Sequence, residues 1–170
     1  MENRSSRWDI EEVEPETPKP EWFEWAVSQR PTSNQVTVDN CKIHYLKWSA
    51  EKTEKPGILF VHGGAAHAQW WSFIAPFFAK DRPVAAIDLS GMGDSSRREE
   101  YTNAHRVSEM AAVIEDAGLG PKPVVVGHSF GGTMTMCFCG KHSSELSGAV
   151  IVDSFVRPPR DDDDGPRGSG

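Results

Sequence analysis

The stretch Pro123-Val124-Val125-Val126-Gly127-His128-Ser129-Phe130-Gly131-Gly132 constrains this chain more than any other. A short apolar run leads into a serine with a glycine two positions before it and another two positions after it, and a helix-forming segment follows. A serine displayed on a very tight strand-to-helix turn needs neighbours without a Cβ at those two positions, or strand and helix collide. Gly127 and Gly131 fill them, and Gly132 gives further room. In such a turn the N–H of the next residue, Phe130, points into the space where a negative oxygen would form. Three fixed positions in a chain with 15 glycines do not make a site alone. The bland reading is an ordinary strand-to-helix loop, and the rest of the chain has to decide.

The other apolar runs, at 58–61, 83–87 and 149–152, read as short strands buried on both faces. Helical patterns lie between them. Residues 103–117 put Val107, Met110, Ala111, Ile114 and Ala117 on one face and stop at Gly118 and Pro121. Residues 130–141 follow the serine, with Met134, Cys137 and Phe138 as packing residues. After the run at 58–61, Trp70, Trp71, Ile74, Phe77 and Phe78 fall at near-helical spacing, and Pro76 fits only a first turn or a kink. Core packing and the mouth of a pocket are both open to Trp70 and Trp71. Ahead of these, 34–38 and 42–48 alternate around Asp39-Asn40, which predicts an antiparallel hairpin. Val36, Val38, Ile43 and Tyr45, or their alternates, would face inward. Residues 21–27 predict a short helix whose aromatic face packs on the sheet edge. The alternation predicts an α/β fold: a mostly parallel sheet with an N-terminal antiparallel hairpin, flanking helices and right-handed crossovers. Ligands of such sheets gather at the carboxyl ends of the strands, and His62, Asp88, Ser129 and Asp153 all stand at or just past those ends.

The 170 residues suffice for one domain. Residues 1–20 are acidic and proline-punctuated and are expected to form a disordered tail; 21–157 hold the core; 158–170, with Asp161 to Asp164, form a solvated tail or the start of a further region. The net charge of −7 comes without a basic patch, so neither nucleic acid nor an anionic membrane is an expected partner. Cys41, Cys137 and Cys139 read as buried free thiols, which favours a reducing compartment. With no signal-peptide core and no membrane span, the expectation is a cytoplasmic protein without metal or cofactor, acting on a small molecule and with no membrane of any kind as a partner.

Three motifs now stand together: His62-Gly63-Gly64 after one strand, Asp88-x-x-Gly91-x-Gly93-x-Ser95 after the next, and Gly127-His128-Ser129-Phe130-Gly131-Gly132 after the third. In order and spacing they resemble the α/β-hydrolase superfamily over roughly residues 34–157. The nearest branch holds esterases, C–C bond hydrolases, cofactor-free haloperoxidases, haloalkane dehalogenases and epoxide hydrolases. The last two use an aspartate nucleophile, so Ser129 points to acyl chemistry. The resemblance implies Ser129 as nucleophile and the N–H groups of Gly64 and Phe130 as the oxyanion hole. Gly63, Gly127 and Gly131 would give backbone room, and His62, Asp88 and His128 would hold the loops around the site. Asp153 stands where some members keep the catalytic acid; more keep it one strand later.

An activated serine needs a base, and the base an orienting acid. The family order is serine, acid, histidine. After Ser129 the sequence has only His142, at the far end of a helix of about 15–18 Å. The run at 149–152 would also lack a partner on its outer edge. The expectation is therefore the N-terminal part of a serine hydrolase acting on an ester or related acyl substrate, with the C-terminal strands, the cap and the catalytic histidine missing and the 170 residues alone inactive. A non-catalytic pseudo-hydrolase or binding module and a cofactor-free perhydrolase are the alternatives.

Overall fold

The computed structural model describes residues 18–50 and 55–155. The elements run α1 (Glu21–Ser28), β1 (Thr32–Val38), β2 (Cys41–Trp48), β3 (Ile58–Val61), a 3-10 turn (Ala68–Trp71), α2 (Ala75–Phe78), β4 (Val84–Ile87), α3 (Asn103–Asp116), β5 (Val124–His128), α4 (Phe130–His142) and β6 (Gly148–Val152). Six strands form one sheet in the order β1-β2-β4-β3-β5-β6. β1 and β2 pair antiparallel, as do β2 and β4, while β4, β3, β5 and β6 run parallel. This is the expected mostly parallel sheet with its N-terminal hairpin. Asp39 and Asn40 turn that hairpin with φ of 47° and 60°, the left-handed pair that a two-residue loop needs to match strand twist.

Strand alternation divides the core into two layers. Leu59 and Val61 face Met110, Val113, Met134 and Phe138 of α3 and α4, and Ile43 and Tyr45 join them with Val36 and Val38 at the margin. Ile58 and Phe60 face the opposite way, onto Trp48, Trp71 and Ala75. Each such aliphatic or aromatic side chain taken from water contributes about 1.5–3 kcal/mol. α3 starts where the Thr102 hydroxyl accepts the His105 N–H at 3.1 Å. It ends at Gly118, φ 62°, where the Gly118 and Leu119 N–H groups close back on the Glu115 and Ile114 carbonyls.

Four expectations change. The aromatic segment after β3 is two short pieces rather than one helix, because Pro76 cannot donate to a preceding turn and so stands in the first turn of α2. Trp71 enters the core while Trp70 is half exposed. α1 lies mainly on α2, not on the sheet edge: Trp22 and Trp25 meet Phe77, and the strand contact is the Trp48 Nε1 donating to the Gln29 carbonyl. Cys137 and Cys139 are half-buried rather than buried, leaving nearly opposite sides of α4 because they are two residues apart; Cys41 is buried. β6 is not covered on both faces: Val150, Ile151 and Val152 are exposed along the sheet margin. Of the expected tail at 1–20, residues 1–17 lie outside the described residues, as does the segment 158–170.

Candidate active site

Ser129 links β5 to α4 with φ 51° and ψ −116°, a conformation that costs a non-glycine residue about 1–3 kcal/mol. The surroundings fix it. Its N–H donates to the Val152 carbonyl at 2.9 Å, and its carbonyl accepts the Thr133 N–H at 3.1 Å and the Ser154 hydroxyl at 2.8 Å. The packing beside the serine leaves no room for a Cβ at three glycines. A Cβ at Gly127 would strike the Gly131 carbonyl and the Thr135 hydroxyl; one at Gly131 would strike the Val61 and His62 carbonyls; one at Gly132 would strike Ser154. Strand and helix are thus packed backbone to backbone beside the serine.

The Ser129 hydroxyl is half-buried and makes no hydrogen bond among the described residues. The Phe130 N–H, at the first turn of α4, and the Gly64 N–H likewise donate to no described group. Gly64 lies beside Phe130: a Cβ there would stand 3.8 Å from the Phe130 Cβ. Unpaired N–H groups at the positive end of a helix favour an anion.

His62 and Asp88 are internal. His62 is fully buried; its Nδ1 donates to the Gly63 carbonyl at 2.7 Å and its Nε2 accepts the Leu89 N–H at 3.2 Å. That pattern requires the neutral ring, and burial pushes its pKa below the usual 6.5. Asp88 accepts from His44 Nδ1 at 2.7 Å, Ala68 N–H at 2.5 Å and Asp94 N–H at 2.9 Å. His44, Asp88 and Asp94 converge closely enough to suit a cation, but with these bonds the Asp88 oxygens already serve as a hub between loops. His128 stacks under Trp70, centroids 5.9 Å apart at 16°, with Gly63 against its Nδ1. Trp70 also lines an open cavity of about 460 Å³ with Ala65, Ala66, His67, Gln69 and Phe73.

Asp153 is exposed with φ 47° between Val152 and Ser154, the two residues that hold the Ser129 backbone. Its carboxylate has no ion pair or hydrogen bond among the described residues. His142 stacks on Phe138 at the last turn of α4 and pairs with Glu145 at 3.0 Å. Position by position, Ser129, Phe130 and Gly64 come together, Asp153 adjoins them in the chain, and no histidine bonds to Ser129 among the described residues. Two contributors escaped the sequence reading. Ser154, a small polar residue just past a strand, gives no signal until its contact with Ser129 is seen. Glu109 is fully buried, pairs with Arg98 Nε at 2.8 Å and accepts the Ser90 N–H at 3.1 Å; it lies off the apolar face read from the sequence, so periodicity gave no signal for it.

A family model described as the alpha/beta hydrolase fold matches residues 56–166. Lipase LipV of Mycobacterium tuberculosis is 35% identical over 99 residues, 58% of this chain and 37% of its own length. The 1-acylglycerol-3-phosphate O-acyltransferase ABHD5 of Sus scrofa is 31% identical over 125 residues, 71% of this chain and 36% of its own. Among solved structures, a membrane phospholipase A described as a bacterial virulence factor superimposes with a TM-score of 0.68 at 26% identity, over 82% of this chain and 44% of that one. The chain spans little more than a third of the length of the two sequence relatives. No helix among the described residues is long and apolar enough to cross a membrane.

Proposed function

The chain belongs to the α/β-hydrolase fold family, and on that premise we propose that it carries the nucleophile and oxyanion hole of a serine hydrolase acting on carboxylic esters. The observation that supports this best is the elbow: a strained serine, held by its backbone, with a free hydroxyl beside two free N–H groups. In the reaction, Ser129 Oγ attacks the ester carbonyl as a base takes its proton. The carbonyl oxygen, now negative, is held by the Phe130 and Gly64 amides. The alkoxide leaves with the proton returned by that base, and water repeats the sequence on the acyl-serine to release the acid. Removing an oxyanion donor of this kind costs about 2.7–4 kcal/mol in the transition state. The described residues offer Ser129 no bonded base, so the histidine belongs elsewhere in the whole protein, with Asp153 as its orienting acid. LipV and the phospholipase A, by their descriptions, act on lipids, which supports an ester of that class. Three free thiols suit a reducing, cytoplasmic setting.

The bare hydroxyl supports a second reading, a non-catalytic binding module, on the same observation that Ser129 has no partnered base. Hydrolysis of a short-chain activated ester by the native protein, wild type against Ser129→Ala, separates them. The first reading expects the activity to vanish in the variant; undiminished turnover would remove Ser129 from the chemistry.

A further inference from the structure

α1 and α2 leave an aromatic face in water. Phe23 and Ala26 of α1 turn inward, while Trp22 is 52% exposed and Trp25 37%. Both lean on Phe77 of α2, itself 42% exposed, with ring centroids 6.4 and 4.8 Å away. The face runs on toward the candidate site. Phe23 touches Phe73 at 6.1 Å, Phe73 lines the cavity under Trp70, and Trp70 stacks on His128 beside Ser129. Large side chains clustered in this way mark a surface with a partner.

The chemistry of the face says which partner. The Trp22 and Trp25 indole N–H groups have no acceptor among the described residues, so each ring offers an apolar body and an unused polar edge. The Lys80 ammonium sits 5.3 Å over the Trp25 ring. Lys80 and Arg30 border a hollow of about 410 Å³ between Trp25 and Trp48, and no carboxylate is among the residues lining it. Indoles with free N–H edges match the carbonyl layer of a lipid surface, and flanking cations match its phosphodiesters. A net charge of −7 opposes an anionic surface, which leaves a zwitterionic one. The sequence led to an expectation of no membrane partner, from the lack of a basic patch and of a spanning segment; docking on a zwitterionic surface through aromatic side chains needs neither.

We propose that the aromatic face of α1 and α2 docks this protein on a zwitterionic phospholipid surface, from which a lipid ester reaches Ser129. The delivery step rests on the acyl-hydrolase reading; the docking does not.

Flotation with phosphatidylcholine vesicles tests it. The wild-type chain floats with the vesicles, with little change at high salt. The Trp22→Ser/Trp25→Ser variant loses about tenfold or more in partitioning, and Phe77→Ser loses less, each with an unchanged circular dichroism spectrum. Val150→Ser, a smaller apolar loss at the exposed margin on β6, floats as the wild type does. A folded wild-type chain that stays in solution overturns the proposal, as does equal floating by the double variant or equal loss by Val150→Ser. Gel filtration at twice the chain mass, abolished by the double variant with no vesicle binding, assigns the face to a second copy and overturns it as well. Ser129→Ala is expected to float like the wild type, so a failure of the hydrolase reading leaves the docking result standing.

Discussion

The loop after β4 and the loop after β5 leave the same edge of the sheet and treat their polar groups in opposite ways. In the first, the Asp88 side chain accepts three hydrogen bonds. The Ser95 hydroxyl donates to the Asp88 carbonyl at 2.6 Å and accepts the His44 N–H at 2.8 Å. The Ser90 N–H goes to Glu109 and the Ser96 N–H to the Lys42 carbonyl. In the second, the backbone of Ser129 is equally well held, yet its hydroxyl and the Phe130 N–H bind nothing described, and neither does the Gly64 N–H of the neighbouring loop after β3. Apart from the buried Ser90 hydroxyl, which has no partner among the described residues, the groups of the first loop satisfy one another, as those of a scaffold do. On the proposed reading, a loop fixed in a strained shape with its donors unused is prepared for something that arrives.

The largest effect that tests this contrast is Asp88→Ala. It strands the Ala68 and Asp94 N–H groups and the His44 ring, and a loss of about 3–5 kcal/mol is expected in denaturant unfolding. A loss under about 1 kcal/mol would mean that the hub is ornamental. Glu109→Gln leaves the Arg98 guanidinium, buried against the hairpin carbonyls of Val38 and Asp39, without its charge partner. About 3 kcal/mol is expected from the same measurement. At the elbow the sign reverses. Ser129→Gly relieves about 1–3 kcal/mol of backbone strain against about 0.4–1 kcal/mol of added unfolded-state freedom. The melting temperature should rise, and a fall would deny that strain is stored there.

The smallest effect is a pH dependence. Folded His62 is held neutral by burial, below the usual 6.5, whereas the unfolded ring takes its proton near 6.5. Below that pH the unfolded state binds more protons, so stability falls from about pH 6.5 toward the folded value and is unaffected by this group above it. Unfolding midpoints between pH 7.5 and 5 should show the decline, and His62→Gln should flatten it.

The sheet, the hairpin turn and the elbow were legible because each rests on local steric facts. Asp39-Asn40 suits a left-handed pair, short apolar runs suit strands buried on both faces, and Gly127 and Gly131 are demanded by the neighbours a Cβ would strike. Pairings between distant positions were not legible. Nothing local joins Arg98 to Glu109 or His44 to Asp88, 11 and 44 residues apart, and their burial exists only once the fold has formed. Trp70 is half exposed and Trp71 buried; neighbours in a 3-10 turn project about 120° apart, and which of the two faces the core is set by how the turn docks on the sheet, which the local sequence does not tell. The base for Ser129 is legible in neither the sequence nor the described residues.

The most direct test of the central claim is peptide mapping of the native protein after reaction with a serine-directed organophosphonate. Capture through an antibody to this region supplies the protein from its source. The account predicts a single phosphonyl adduct on the peptide that carries Ser129, formed as ester hydrolysis disappears. Hydrolysis that is lost with the adduct on another residue, or that persists while Ser129 is fully modified, would contradict it.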